Sequence, residues 1–122
     1  MTDIDTTLAD LEGEIAKFCN DRDWDSFHTP KDLAIGISSE AGELLELFRF
    51  KDEAQCRTLI ADPVRGKNVR DELSDVLYFV LRFAQMNGID MSDALRSKMA
   101  DNSVKYPVDK CKGRNEKYDE YD

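Results

Sequence analysis

Cysteine is scarce in this sequence: Cys19, Cys56 and Cys111 are three in 122 residues. They form no metal-type pair and cannot all be matched internally, so a disulfide-stapled scaffold is not needed and free thiols in a reducing compartment are expected. Proline and glycine are also few, three and six, and β-branched alternation is rare, which favours helices joined by short connections. No apolar run approaches the about 20 residues that a membrane span needs. The first ten residues carry acids where a targeting peptide would carry basic then apolar residues, so a cytoplasmic location without membrane attachment is expected. Basic charge is outnumbered, 17 Lys and Arg against 26 Asp and Glu, for a net charge of −9 and a pI near 4.6. The protein's own field therefore opposes binding to polymeric DNA or RNA. A small anionic ligand remains compatible, because carboxylates can hold divalent cations that neutralise protein and ligand together.

What is present is one domain's worth of chain, 41% hydrophobic and 35% charged, patterned for an all-α fold. Leu8, Leu11, Ile15 and Phe18 recur at helical steps and predict a first helix over 6–21. The stretch 21–28, polar with interspersed aromatics, reads as a connection and holds the only tryptophan and the only histidine. Thr29-Pro30-Lys31-Asp32 supplies a capping hydroxyl, a proline at the first helical position and an acid in the first turn, so a second helix should run from there to about Phe50. A short helix is expected over 53–60, with Asp62-Pro63 and Gly66 as interruptions. A third long helix over 69–87 should close at Asn87-Gly88, and Asp90 should cap a fourth. The expectation is one helical domain over 1–107 built from four main helices, with a charged, flexible tail over 108–122. The stretch from Val76 to Ala84 reads as apolar on nearly every side, more than three other helices can cover, so oligomerisation should complete the bundle.

The informative feature is where four acids fall. At about 100° per residue, Glu40 and Glu43 share a side of the second helix with Leu33, Gly36, Ile37, Leu44 and Leu47. Glu72 and Asp75 likewise group with Val76, Phe79, Phe83 and Met86 on the third. Each pair sits at i, i+3, where side chains are neighbours, and each points toward the expected interior. Four carboxylates there could not all stay ionised without compensation. The ordinary reading, a helix–helix rim paired with Lys and Arg, stands beside a second one, a divalent-cation site. An all-oxygen shell suits Mg²⁺, with Mn²⁺ possible, and disfavours zinc. Glu46 and Asp71 turn away from these stripes and read as solvated acids.

Glu40-Ala41-Gly42-Glu43 followed by Glu72-Leu73-Ser74-Asp75 resembles the Glu-x-x-Glu…Glu-x-x-Asp signature of the MazG-like all-α nucleoside triphosphate pyrophosphohydrolases. Arg22-Asp23-Trp24, Phe27-His28-Thr29-Pro30-Lys31 and Ser39-Glu40-Ala41-Gly42-Glu43-Leu44 look like the dCTP pyrophosphatase-like branch. Gly88-Ile89-Asp90, Lys98, Asn102 and Lys105-Tyr106-Pro107 continue the likeness, which covers roughly residues 8–107 and not the tail. The resemblance implies a helical bundle of dimers or tetramers and a house-cleaning hydrolase. Its reaction would cleave dCTP or a related (d)NTP between the α and β phosphates, giving a monophosphate and pyrophosphate. It makes Glu40, Glu43, Glu72 and Asp75 metal-binding and catalytic residues, with Glu40 the base favoured for the attacking water. Lys98, Asn102, Lys105 and Tyr106 match phosphate-holding positions, and cations with an amide donor suit an anion. Trp24 resembles the base-stacking residue, and His28 and Phe50 would complete the base pocket. Where dCTP-preferring relatives tend to have a second tryptophan, this chain has Phe48-Arg49-Phe50-Lys51, so a different pocket width is expected. Two other readings compete: the same chemistry on dUTP or phosphoribosyl-ATP, and a non-enzymatic helical module that binds a nucleotide or only a partner.

Overall fold

A computed structural model describes residues 1–121 of the chain. Its described residues carry helices and no strand, as expected: α1 (Leu8–Asp21), α2 (Pro30–Glu46), α3 (Glu53–Ala61), α4 (Arg65–Met86), α5 (Met91–Lys105) and α6 (Val108–Cys111). They fall into two compact units, Met1–Ile89 and the residues from Asp90 onward. No described helix is long and apolar enough to cross a membrane.

The caps are local and legible. Thr7 and Asp10 form a reciprocal capping box at the start of α1. Thr29 Oγ1 accepts from Asp32 N ahead of Pro30, Asp52 and Gln55 box the start of α3, and Asp90 accepts from Asp93 N at the start of α5. Each satisfies a backbone donor that the first helical turn leaves open. Gly88, at φ +65°, takes the left-handed conformation after α4.

Two boundaries differ from the expectation. Helix α2 ends at Glu46, and residues 47–50 are turns, with Phe50 itself at φ +62°. Helix α4 begins a full turn earlier than expected, at Arg65. There the Asp62 carboxylate accepts from both Val64 N and Arg65 N, at 2.8 and 2.7 Å. Gly66 does not interrupt the helix but belongs to its first turn, buried, where a Cβ would lie 2.5 Å from the Ile60 carbonyl oxygen. The glycine is a packing requirement of the α3–α4 corner.

Within the first unit α2 lies most extensively against α4, with α1 and α3 also packed on α4. A Cβ at Gly36 would stand 2.5 Å from the Phe79 ring, so the ring of α4 packs directly on the α2 backbone at a position that has no side chain of its own. The buried apolar residues are Cys19, Leu33, Leu59, Leu81 and Ala84. With them lies Arg82, 1% exposed, which corrects the reading of 76–84 as apolar on nearly every side. Large apolar side chains stay exposed on the helices that carry the acids: Ile35 and Leu45 on α2, Leu73 and Leu77 on α4.

Beyond Pro107 the chain forms α6 and a 3-10 turn over Tyr118–Glu120. The Tyr106 ring is the centre of this segment, edge-on to Tyr118 at 5.9 Å and to Tyr121 at 6.2 Å. Counting charges alone overlooks these three rings, which give the segment something to bury.

Candidate active site

The close approach of Gly36 to Phe79 sets the register for what happens one turn away. Going forward from Gly36 on α2 reaches Glu40, and going back from Phe79 on α4 reaches Asp75 and then Glu72, so the two helices run antiparallel. Glu40, Glu72 and Asp75 each offer a carboxylate oxygen, all within 4.8 Å of one another. Glu40 and Glu72 are half-buried and Asp75 is exposed. This is an open rim between two helices, not the closed interior inferred from helical periodicity. Glu43 lies one turn further along α2, exposed and outside the three-carboxylate group.

The electrostatics follow from this crowding. Burial raises the proton affinity of Glu40 above that of an ordinary carboxylate, and the charges of Asp75, Glu72 and Glu43 raise it further, with Glu72 near enough to share its proton. Like charges gathered around one site disfavour ionisation. No Lys or Arg forms an ion pair with Glu40, Glu43, Glu72 or Asp75, whereas seven other pairs do form among the described residues. The ordinary rim reading required such pairs. A hard divalent cation fits the donor set: three convergent oxygens from rigid elements, no nitrogen or sulfur, and room for water and phosphate on the open side.

The loop from Asp21 to Thr29 forms the second cluster. Asp23, at φ +55°, turns the chain, and Trp24 N donates to Cys19 O at 3.0 Å. The Trp24 ring, 39% exposed, stands edge-on to Phe18 at 5.7 Å and to His28 at 6.3 Å. One ring of the base pocket expected from sequence is therefore beside His28. Phe50 is not among these residues: it is 92% exposed and carries the Arg49 guanidinium 4.7 Å from its ring centre. Between α1 and α4 an apolar cavity of about 290 Å³ is lined by Leu11, Ile15, Phe18, Leu77, Tyr78 and Leu81, with Glu14 at its edge. Tyr78 closes against Cys19, its oxygen 3.1 Å from the Sγ. Burial and that bond push the Tyr78 hydroxyl up to about 12.

His28 has a partner that sequence reasoning missed. Its Nδ1 accepts from Arg82 Nε at 2.8 Å. Burial lowers its proton affinity, the Arg82 charge lowers it further, and Asp25 opposes both. A histidine depressed in the folded state binds fewer protons there than in the unfolded chain. Its contribution to stability is present above the unfolded value of 6.5 and is lost as pH falls through the lower folded value. Thermal denaturation of wild type and His28→Gln from pH 8 to 5 should show a steeper loss of stability below pH 6.5 in the wild type.

In the second unit Lys98, Asn102 and Lys105 follow one another at four- and three-residue steps on α5, and Tyr106 is its C-terminal cap. The Lys105 ammonium lies 4.9 Å from the Tyr118 ring centre. The lysine and tyrosine expected to hold phosphate thus also touch the C-terminal segment.

A family model described as the MazG-like family matches residues 35–121. The match runs past Pro107, where the resemblance read from motifs had ended. dCTP pyrophosphatase 1 of Rattus norvegicus is 37% identical over 112 residues, covering 92% of this chain and 66% of that protein. The Homo sapiens protein of the same name is 34% identical over 114 residues, covering 93% of this chain and 67% of its own. This chain thus spans about two-thirds of the length of these curated relatives. The crystal structure of a pyrophosphatase from Archaeoglobus fulgidus superposes with a TM-score of 0.74 at 33% identity, covering 82% of this chain and 92% of that one. The chain belongs to the MazG-like family.

Proposed function

We propose that the protein is a Mg²⁺-dependent nucleoside triphosphate pyrophosphohydrolase, cleaving dCTP or a related deoxynucleotide to its monophosphate and pyrophosphate. The observation that carries this reading is the convergence of Glu40, Glu72 and Asp75, from two helices, within 4.8 Å and without a cationic partner. The relatives named pyrophosphatase support the reaction class. The relatives named dCTP pyrophosphatase 1 support the base.

In this reading Glu40, Glu72 and Asp75 hold the cation, with Glu43 completing the set from the next turn. When bound, the divalent ion supplies neutralisation of the phosphate charge and polarisation of the bond that breaks. Glu40, whose proton affinity is raised by burial and by the neighbouring acids, is assigned the proton of the attacking water. Lys98, Asn102, Lys105 and Tyr106 are assigned to the phosphates on their chemistry and the family resemblance. Trp24 stacks on the base with His28 beside it, and Phe50, exposed on the turn after α2, is assigned to the base on the family resemblance alone. The functional unit in this reading is a homodimer or homotetramer, because Ile35, Leu45, Leu73 and Leu77 leave apolar surface on α2 and α4 for a second copy to cover.

The experiment is incubation with each common dNTP and NTP in Mg²⁺, with chromatographic separation of products. Monophosphate with pyrophosphate, fastest from dCTP, is the expected result. Diphosphate with orthophosphate would contradict the reaction, and dUTP outrunning dCTP would move the reading to its closest alternative.

A further inference from the structure

Among the described residues one cation is buried almost completely, and its partners are not the acids of the cluster. Arg82 is 1% exposed. A buried guanidinium is tolerated only when its donors are met, and here three side chains meet them. Nε donates to His28 Nδ1 at 2.8 Å, one terminal nitrogen to Gln85 Oε1 at 2.7 Å, and the other to Asp25 Oδ1. Gln85 is on α4 itself, but Asp25 and His28 belong to the loop that carries Trp24. Helix α4 thus fastens that loop at two points, one on each side of Phe27.

The bond to His28 also fixes chemistry. An arginine Nε always carries its hydrogen, so the Nδ1 that accepts from it carries none. A neutral imidazole bonded in this way holds its hydrogen on Nε2. The side chain half-buried beside Trp24 therefore offers a donor, not an acceptor, and the lowering of its proton affinity by burial and by Arg82 is in the direction of that neutral ring. An N–H beside a stacking ring suits an acceptor-rich base edge, such as the O2 carbonyl and N3 of cytosine.

We propose that Arg82 is a positioning residue for base recognition: it holds the Trp24–His28 loop on α4 and sets the Nε2–H tautomer of His28. The base-recognition half of this inference rests on the function proposed above; the tautomer half does not. Trp24 and His28 are the only tryptophan and the only histidine in the chain, so both can be observed without assignment.

The test uses the full chain as wild type, Arg82→Met, Arg82→Lys and Asp25→Asn. Nitrogen-15 histidine spectra at pH 8 should show the Nε2–H tautomer in wild type and a tautomer mixture in Arg82→Met. Acrylamide should quench Trp24 fluorescence more strongly in that variant. KM for the preferred deoxynucleotide should rise about tenfold with kcat held within about twofold, since the lost interaction acts on binding. If Arg82→Met does not fold, Asp25→Asn keeps the test alive, because Asp25 is largely exposed and its loss loosens one anchor only. That variant should then show the quenching and the KM rise, with Arg82→Lys, which keeps the charge but not the three-way fork, intermediate. A folded variant with unchanged tautomer, quenching and KM would overturn the proposal. A fall in melting temperature alone, with tautomer and KM unchanged, would make Arg82 merely structural and overturn it equally. Turnover of no nucleotide by wild type would defeat the base-recognition half together with the proposed function, while the tautomer is still decided by the spectra.

Discussion

Replacing Glu72 with glutamine should abolish turnover while leaving the fold intact. Glu72 is half-buried on α4, within 4.8 Å of Glu40 and Asp75, and no cation is paired with it. The substitution keeps its volume and hydrogen-bonding capacity but removes one of the charges that would hold Mg²⁺. Activity should fall at least about a thousandfold, the scale seen when a preorganised electrostatic element is removed from a reaction centre. Stability without metal should stay level or rise, because the like charge that crowds Glu40 is gone. Glu46→Gln is the control: Glu46 is exposed and paired only with Arg49, and surface pairs of this kind contribute little. Initial rates in saturating Mg²⁺, with circular dichroism of each variant, decide the matter. Loss of the fold in Glu72→Gln would make the cluster structural, and full activity would remove it from the site.

The second large effect concerns Gly66. A methyl group there would lie 2.5 Å from the Ile60 carbonyl oxygen and 3.4 Å from the Leu59 carbonyl oxygen, and backbone atoms cannot move aside as a flexible side chain can. Gly66→Ala should therefore cost about 1–3 kcal/mol, as overpacked sites do, despite the better helix propensity of alanine. Gly13, in α1, has nothing within 4 Å of the same position. Gly13→Ala should be neutral or stabilise by up to about 1 kcal/mol. Urea denaturation midpoints with a constant m-value should separate the two in sign. A destabilised Gly13→Ala with an unaffected Gly66→Ala would contradict the packing assigned to the α3–α4 corner.

These cases show which features were legible beforehand. Caps were, because Thr29, Asp90 and the Asn87-Gly88 close act through neighbours within four residues. The acid pairs were, because helical periodicity alone brings residues three apart to one face. Periodicity could not say how open that face is. It also could not separate Glu43 from the group, which depends on where α2 crosses α4 and hence on the Gly36–Phe79 approach. Gly66 looked like a breaker because a glycine needed for close packing and a glycine needed for flexibility are the same letter.

Arg82 was the signal passed over. A single cation within Val76–Ala84, a stretch otherwise apolar, must find buried acceptors. The loop before α2 contains an acid and a histidine, Asp25 and His28, able to supply them. The segment beyond Pro107 is a related case: Lys110, Lys112, Arg114, Glu116, Lys117, Asp119 and Glu120 dominate its composition, while Tyr106 packs edge-on against Tyr118 and Tyr121.

The central claim, that the convergent carboxylates form a divalent-cation site, is tested most directly by electron paramagnetic resonance of Mn²⁺ titrated into wild type, Glu72→Gln and Glu46→Gln. The account predicts saturable binding in wild type and Glu46→Gln, and binding weakened at least about tenfold in Glu72→Gln. Equal Mn²⁺ affinity in all three proteins would contradict it.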